Sequence, residues 1–368
     1  MRIAFDAYHT LFPSGGIARY SRGLISALAD AVPQEKITLL INSFHTKGIA
    51  WKPARGNVAR REIVMPRRML QGIWDALEWP PIEFFLGKTD IFHGLHFILP
   101  PTRGAKRVLT VHDLTYLRFP DYFTLRSLNE VGYKRELPRA LNRADAVIAV
   151  SAKTRDDLID LMKVPEAKIK VVPEGVDRHF IDFVDGVESE TVRKKYNLNR
   201  PYLLFLVGTP EPRKNLQRTV EAAAKAAPEI PLVVIGHQDS LRGLLGEAKG
   251  NIILPGFVPD DHLPCLLSGA LISLYPSLYE GFGLPVLESM ACGVPVITSN
   301  RGSLPEVAGD SALIVDPEKT DAIADAVTTL LKDTSLRESM IVSGKARAAD
   351  FTWHRTAVET YNLYRKIL

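Results

Sequence analysis

Cysteine is nearly absent: 368 residues hold two, Cys265 and Cys292, with no Cys-x-x-Cys spacing. That excludes a disulfide framework and a thiolate metal site, and a reducing cytoplasm is the expected location. Long apolar runs are missing too. Nowhere do 18 uncharged apolar residues follow one another, and the opening MRIAFDAYHT has no stretch of signal-peptide length, so neither a membrane span nor a secretory leader is expected. Three chemical signatures are also lacking. Without Gly-x-Gly-x-x-Gly or a P-loop there is no fingerprint for a nicotinamide dinucleotide or a Walker-type phosphate site, and without Asp-x-Asp there is no acidic metal motif.

What the chain does contain is an ordinary soluble composition, 46% hydrophobic and 24% charged, in a length that suits two domains of about 150 residues each. Basic side chains number 46 against 42 acidic ones, a formal charge of +4. Arg60, Arg61, Arg67, Arg68, Arg103, Lys106 and Arg107 concentrate the excess in the first third. No base-stacking aromatics alternate with them, so nucleic acid is not an expected partner. Segment 65–86 sets arginines among Trp74, Trp79, Phe84 and Phe85. It reads either as a solvated surface or as a peripheral membrane contact with anionic lipid headgroups.

Short apolar runs alternate with helix-like stretches throughout, the pattern of parallel α/β sheets. Candidate strands at 2–5, 37–41, 107–111 and 146–150, with helices at 17–30, 69–79, 124–142 and 152–163, make one doubly wound unit. A second series starts at Tyr202 with YLLFLVG, PLVVIG, NIILPG, ALISLYP, VPVITS and SALIVD, separated by helix-like 215–227, 239–248, 284–292 and 318–332. Between the series the composition shifts, around Pro173, Gly175 and the acidic stretch from Asp182 to Glu190, which sets the expected domains at 1–178 and 179–351. Residues 352–368 carry Trp353, Val358, Tyr361, Tyr364 and Leu368 at helical spacing and are expected to cross back onto the first domain. Ligands of such sheets lie beyond the carboxyl ends of the strands, so the loops there are where chemistry is expected.

The most telling loop is Glu280-Gly281-Phe282-Gly283-Leu284-Pro285-Val286-Leu287-Glu288, two glutamates flanking a glycine turn and a helix start. Pro285 suits a first helical turn. Gly281 and Gly283 let backbone approach a ligand, and the free N–H groups of a helix N-terminus attract anions. This is the shape of a diphosphate site whose carboxylates hold hydroxyls; an exposed loop glutamate beside a dipole-favoured one is the alternative. After the strand at 202–207 comes Gly208-Thr209-Pro210-Glu211-Pro212-Arg213-Lys214-Asn215. Its adjacent cations suit charge developing on a departing phosphate, or else form a solvated helix turn. Ser14-Gly15-Gly16-Ile17-Ala18-Arg19-Tyr20 follows the first strand as a ligand loop or a tight turn, and Val111-His112-Asp113-Leu114-Thr115 ends another strand. His112 is either structural or a hydrogen-bond donor, with Asp113 placed to orient it. His93 and His96 either line the site or pack at a strand end, and with no third ligand nearby zinc is not expected. Gly256-Phe257-Val258 and Asn300-Arg301-Gly302-Ser303-Leu304-Pro305-Glu306 are further strand-end loops. Ser303 and Glu306 have the spacing of a capping box, which keeps Glu306 out of the site.

At the Glu280 and Glu288 motif the sequence resembles the family 4 glycosyltransferases (GT4), and the resemblance spans essentially the whole chain. It implies an α/β architecture of the GT-B type, two Rossmann-like doubly wound domains facing each other across a cleft. It also implies transfer of a hexose from a nucleotide diphosphate sugar to a hydroxyl, with retention of anomeric configuration. Carried onto this chain, it puts Glu280 on the transferred sugar, Glu288 on the ribose diol and Lys214 with Arg213 on the diphosphate. Thr209 departs from the pattern, since many members carry Arg directly after the glycine; in the EPRKN variant Arg213 takes that place. His112 matches a histidine that lies against the transferred sugar. Gly15 and Gly16 match a loop near the donor phosphates, while Gly208, Thr209, Phe257, Val258, Gly281, Phe282, Gly283 and Leu284 fall at donor-binding positions. Arg19, Asp113 and His93 fall on the acceptor side.

No metal and no other cofactor is expected, because the cations and helix N-termini would carry the charge. Asp6, the GGIARY loop and residues 112–120 (HDLTYLRFP) resemble bacterial mannosyltransferases that build polysaccharide, lipopolysaccharide included. That implies GDP-mannose as donor and a glycan or lipid-linked acceptor, with UDP-glucose and other hexose donors open. Two competing readings are a nucleotide-sugar epimerase or hydrolase on the same scaffold and a nucleotide-sugar-binding protein without catalysis. A glycosidase would leave the phosphate-binding features unexplained.

Overall fold

The computed structural model describes residues 1–12, 15–42, 51, 53, 55–122, 133–245 and 251–368. The chain divides into two units, Met1–Gly175 with Trp353–Leu368, and Val176–Thr352. Each is built on one parallel sheet.

The first sheet has seven strands: β1 (Arg2–Asp6), β2 (Lys36–Asn42), β3 (Val58–Ile63), β4 (Ile91–Gly94), β5 (Lys106–Val111), β6 (Ala146–Ala149) and β7 (Ile169–Val171). Their order is β3-β2-β1-β4-β5-β6-β7. The winding therefore reverses between β1 and β4, and the carboxyl ends of those strands are where such a sheet receives ligands. Every residue of β4 and β6 is buried, as expected of parallel strands covered on both faces. After β1 the chain turns at Gly15, whose φ of 114° only glycine adopts readily, into the helix Gly16–Ala31. That helix buries Tyr20, Leu24 and Leu28, spaced by one turn. The final helix, Trp353–Ile367, packs on it. A Cβ at Gly23 would stand 2.2 Å from the Trp353 ring, so the contact requires glycine there.

The second sheet has six strands: β8 (Tyr202–Gly208), β9 (Leu232–Gly236), β10 (Ile252–Ile253), β11 (Ala270–Tyr275), β12 (Val296–Ser299) and β13 (Leu313–Val315). Their order, β10-β9-β8-β11-β12-β13, repeats the reversal of the first sheet, here between β8 and β11. The helix Leu284–Ala291 follows β11. Gly283 enters it with a φ of 121°, and a Cβ there would stand 2.8 Å from Leu304.

Three strands and a long helix escape the apolar pattern, each for a visible reason. β3 is an edge strand reading VARREI, with charges where it meets water. β4 and β7 have only four and three residues. The helix Thr334–Ala349 buries just Met340, Gly344 and Ala348, a stripe too narrow to register as hydrophobic periodicity. The helices expected at 124–142 and 239–248 extend outside the described residues, within which Tyr133–Arg143 and Gln238–Leu245 are helical. The aromatic segment 65–86 needs one correction. Trp74 belongs to the hydrophobic core and its indole N–H donates to the Pro80 carbonyl at 2.9 Å, because it lies on the inward stripe of the helix Arg67–Leu77. Trp79 and Phe84 stay 54% and 70% exposed.

Candidate active site

In the second unit the loops after β8 and β11 bring Arg213, Lys214 and Glu280 together. Arg213 and Lys214 sit in a single 3-10 turn, Pro212–Lys214, that begins with proline and ends at Asn215 in the left-handed conformation. The Asn215 amide fixes this turn by donating to the Pro276 carbonyl at 3.0 Å and the Pro317 carbonyl at 2.7 Å. Lys214 Nζ donates to Glu280 Oε1 at 2.7 Å and to the Tyr275 hydroxyl at 2.7 Å, and Tyr275 in turn donates to Glu280 Oε1 at 3.1 Å. Arg213 Nη1 reaches Glu280 Oε2 at 2.5 Å and the Tyr279 carbonyl at 3.1 Å, while its Nε meets Glu211 at 2.6 Å.

All three side chains at the centre of this cluster, Lys214, Tyr275 and Glu280, are buried. Burial by itself would raise the Glu280 carboxyl, but Arg213 and Lys214 outweigh it and hold the group down at about 2. Burial lowers Lys214 and the neighbouring Arg213 adds to that, with Glu280 opposing both. Two cations therefore compensate the buried carboxylate. Among the described residues two acceptors face the Lys214 ammonium, which leaves its third N–H for a ligand.

The backbone of Glu280 is clamped as firmly as its side chain. Ser303 donates its hydroxyl to the carbonyls of Glu280 at 3.0 Å and Phe282 at 2.5 Å. This corrects the capping box expected of Ser303 and Glu306: the Ser303 hydroxyl is spent on the glutamate loop and makes no cap bond to its own helix, Leu304–Ala308. Gly302, at φ 63°, is required in the same place, since a Cβ would lie 2.7 Å and 2.8 Å from the Glu280 backbone oxygen and nitrogen. Gly281, Phe282, Gly283, Leu284 and Glu288 are buried along the loop and the helix it opens, with Phe282 edge-on to Phe351 at 5.8 Å. Gly208 turns at φ 65° and, with Thr209, is exposed at the end of β8. A Cβ at Gly236 would strike the Gly208 carbonyl at 2.4 Å, so the ends of β8 and β9 lie close together. Phe257 is exposed and Val258 buried beyond β10.

In the first unit His112 follows β5. Its Nδ1 lies 3.0 Å from Glu174 Oε1 and its Nε2 lies 3.1 Å from the Leu95 carbonyl, with the Tyr20 ring edge-on at 4.7 Å. Glu174, buried after β7, orients this imidazole, whereas Asp113, expected to do so, accepts the Thr115 backbone N–H at 3.0 Å and shapes the next turn. His93 also needs correction. Expected on the acceptor side, it is a core residue whose ring nitrogens meet the Tyr364 hydroxyl at 2.5 Å and Thr110 Oγ1 at 2.8 Å, and burial pushes it down to about 3. Burial likewise lowers His9 to about 4, against the pull of Asp6, and takes His96 well below its ordinary value. Their rings lie 4.6 Å apart, with His9 near Asp6 at the end of β1, where Arg67 bonds Asp6 at 3.2 Å and covers the Tyr8 ring at 4.0 Å. Gly15 and Gly16 are exposed, with open space where a side chain would project, and Arg19 is one turn into the helix they begin. Ser14 lies outside the described residues. Among the described residues no three His, Cys, Asp or Glu side chains gather as metal ligands do.

Glu174 and Tyr275 are the two side chains that the sequence alone did not single out. Comparison with known proteins identifies the family. The family model for family 4 glycosyltransferases matches residues 14–180, and that for group 1 glycosyl transferases matches residues 188–347. The O-antigen chain mannosyltransferase B of Escherichia coli is 32% identical over 99% of this chain and 100% of its own. Among solved structures, sucrose-phosphate synthase from Thermosynechococcus elongatus superposes with a TM-score of 0.79 at 22% identity, covering 100% of this chain and 99% of that one. HepE from Anabaena, in complex with UDP and glucose, gives 0.72 at 16% identity with both chains fully covered. Two parallel sheets wound alike, a loop whose Glu280 pairs with Arg213 and Lys214, and a match running from end to end place this chain among the family 4 glycosyltransferases of GT-B fold.

Proposed function

We propose that this glycosyltransferase moves mannose from GDP-mannose to a hydroxyl of a glycan or lipid-linked acceptor in cell-surface polysaccharide synthesis, keeping the anomeric configuration. The observation that carries the reading is the Arg213–Lys214–Glu280 cluster at the reversal between β8 and β11, where a nucleotide diphosphate sugar finds fixed cations beside a hydroxyl-binding carboxylate. In this reading the third N–H of Lys214 meets the diphosphate, Arg213 shares its charge between Glu280 and the leaving group, and Glu280 holds the transferred sugar. Glu288 takes the ribose diol. Gly208, Thr209, Phe257, Val258 and the Gly281–Leu284 backbone surround the donor, and the free N–H groups opening Leu284–Ala291 add to the attraction for anions. In the first unit, His112, Gly15 and Gly16 are the residues proposed for the donor, and Arg19 and Asp113 for the acceptor. The mannosyl donor is supported by full-length similarity to an O-antigen mannosyltransferase.

Catalysis then rests on preorganised charge from this chain rather than on a divalent ion. A panel of GDP- and UDP-sugars, assayed for donor consumption with and without EDTA, tests this. GDP-mannose is expected to be turned over at an unchanged rate in EDTA; a loss that manganese restores, or a preference for another donor, would replace this reading.

Membrane contact is a separable part of the proposal. No helix among the described residues is long and apolar enough to cross a membrane. Exposed Met69, Leu77, Trp79 and Phe84 share a surface segment with Arg68 and Arg103, a mixture that suits a leaflet of anionic lipid. Flotation with phosphatidylglycerol vesicles, and its loss in W79S/F84S, is the expected result.

A further inference from the structure

The mechanism so far uses Arg213, Lys214, Glu280 and Glu288 and leaves one buried polar side chain in their midst without a task. Tyr275 is the last residue of β11, 2% exposed, with its ring edge-on to Phe205 of β8 at 6.5 Å. Its hydroxyl accepts from Lys214 Nζ at 2.7 Å and donates to Glu280 Oε1 at 3.1 Å, closing a triangle with the 2.7 Å bond between the two charged groups. An aliphatic or phenylalanine side chain would fill the same space. A hydroxyl there must be matched on both its donor and its acceptor side, or it costs more than it returns.

We propose that Tyr275 is a positioning residue for transfer: its hydroxyl fixes the direction of the Lys214 ammonium so that the remaining N–H points at the donor diphosphate. The inference rests on the donor reading given above. An ammonium is a rotor with three equivalent donors on a flexible stem, and one bond to Glu280 alone would leave it free to turn about that bond. A second acceptor, held on the rigid end of a strand, removes that freedom. The same hydroxyl donates to Glu280 and so keeps the carboxylate lobe that faces Lys214 in place. The Tyr275 phenol is pushed well above its ordinary value, first by burial and then by the charge of Glu280, which keeps the O–H on the ring and available to donate. Charge that faces Lys214 comes from Arg213, Glu280 and Glu211, and Glu288 adds to the field at Tyr275.

The consequence is specific. Removing the hydroxyl should misdirect a cation that acts on the leaving group, so kcat falls while donor KM changes little. It also withdraws an acceptor from the ammonium, so Lys214 gives up its proton more easily and the alkaline limb of kcat moves to lower pH.

The test compares Y275F, K214A and the double variant in transfer from whichever nucleotide sugar the wild-type enzyme uses, with thermal melting as a control on folding. Phenylalanine keeps the ring that fills the position. Y275F is expected to melt near the wild type and to lose kcat on the order of tenfold to a hundredfold, the range of one hydrogen bond to a charged group. Its donor KM should stay within about threefold, and its alkaline limb should move down in pH. In the K214A background the same change should cost little more, because the group it orients is gone. A folded Y275F with unchanged kcat and pH profile, or an equal multiplicative loss in both backgrounds, would overturn the proposal. K214A with wild-type turnover would instead overturn the donor reading beneath it.

Discussion

The two units wind their sheets alike and gather polar side chains at the same edge, yet they manage charge in opposite ways. At the end of β8 and β11 the second unit buries full charges, and Arg213, Lys214 and Glu280 compensate one another. At the ends of β1 and β4 the first unit buries imidazoles, and His9, His93 and His96 are all pushed toward the neutral form, by burial before any other cause. A site built to hold a diphosphate needs permanent cations, and their cost in a dry place is met by an equally permanent carboxylate. The first unit instead uses these imidazoles in packing: both His93 nitrogens are engaged, by Tyr364 and Thr110, and the His9 and His96 rings lie 4.6 Å apart. The contrast is between a charge-compensated cluster and a neutral packing layer.

The largest effect expected from breaking the charged half is in Glu280→Gln. The amide keeps one acceptor but no charge to compensate Arg213 and Lys214, and it is still the milder change, since truncation to Ala removes both acceptors and should cost about 3–5 kcal/mol. Turnover should fall about 10²–10³-fold, the usual loss when one preorganised charge is removed, with the melting temperature shifted far less than kcat. Steady-state kinetics and a melt on the same preparation check this.

Next comes the first unit. His112→Ala is expected to lower transfer by about ten- to a hundredfold, and Glu174→Gln by about tenfold, because Glu174 acts through the ring it orients. Combined, the two changes should cost no more than His112→Ala alone. Additive losses would mean that Glu174 acts elsewhere.

Backbone changes give smaller effects that still separate the units. Gly302→Ala forces a Cβ onto the Glu280 backbone and should cost about 1–3 kcal/mol in stability together with part of the activity. Gly15→Ala meets no neighbouring atom and pays only for the backbone conformation, at the low end of about 1–3 kcal/mol. Thermal melts of both variants should rank them in that order.

The most general prediction concerns acid. His9 and His93 titrate at about 4 and about 3 in the folded chain against 6.5 when unfolded, so the unfolded chain takes up protons first as pH falls below 6.5. The first unit therefore loses stability from pH 6.5 downward, on the order of 3 kcal/mol for His9 alone by pH 4. Glu280 works the other way round: its stabilisation is fully present above 4.5 and disappears only as pH falls through about 2. All four tryptophans, Trp51, Trp74, Trp79 and Trp353, belong to the first unit. Tryptophan fluorescence should therefore report melting at lower temperature as pH drops from 7 to 4.5, while hydrogen exchange in β8 and β11 stays slow. Simultaneous loss of both would contradict the assignment.

How much of this was legible in the sequence depends on where apolar runs coincide with strands. All six strands of the second sheet read as apolar runs, and the loops after them held Arg213, Lys214, Glu280 and Glu288 in plain view. Glu174 was not visible because it follows β7, a three-residue strand with no apolar signature, so no strand-end loop was expected there. Tyr275 sat inside the run ALISLYP, where a tyrosine counts as one more apolar residue until its neighbours across β8 are known. His93 failed in the other direction. A histidine in a sequence advertises chemistry, and only the positions of Thr110 and Tyr364, 17 and 271 residues away, reveal that its nitrogens are already engaged. Asp113 and Ser303 point away from the neighbours their sequence spacing suggests: Asp113 bonds the turn it opens, and Ser303 bonds the glutamate loop more than 20 residues away.

The central claim is that the Lys214–Glu280 cluster of the second unit binds the donor diphosphate, and calorimetric titration of GDP into the wild type and K214A tests it most directly. The account expects the wild type to bind and K214A to bind about ten- to a hundredfold more weakly, as befits the loss of a charged hydrogen bond. Equal affinity in the two proteins would contradict it.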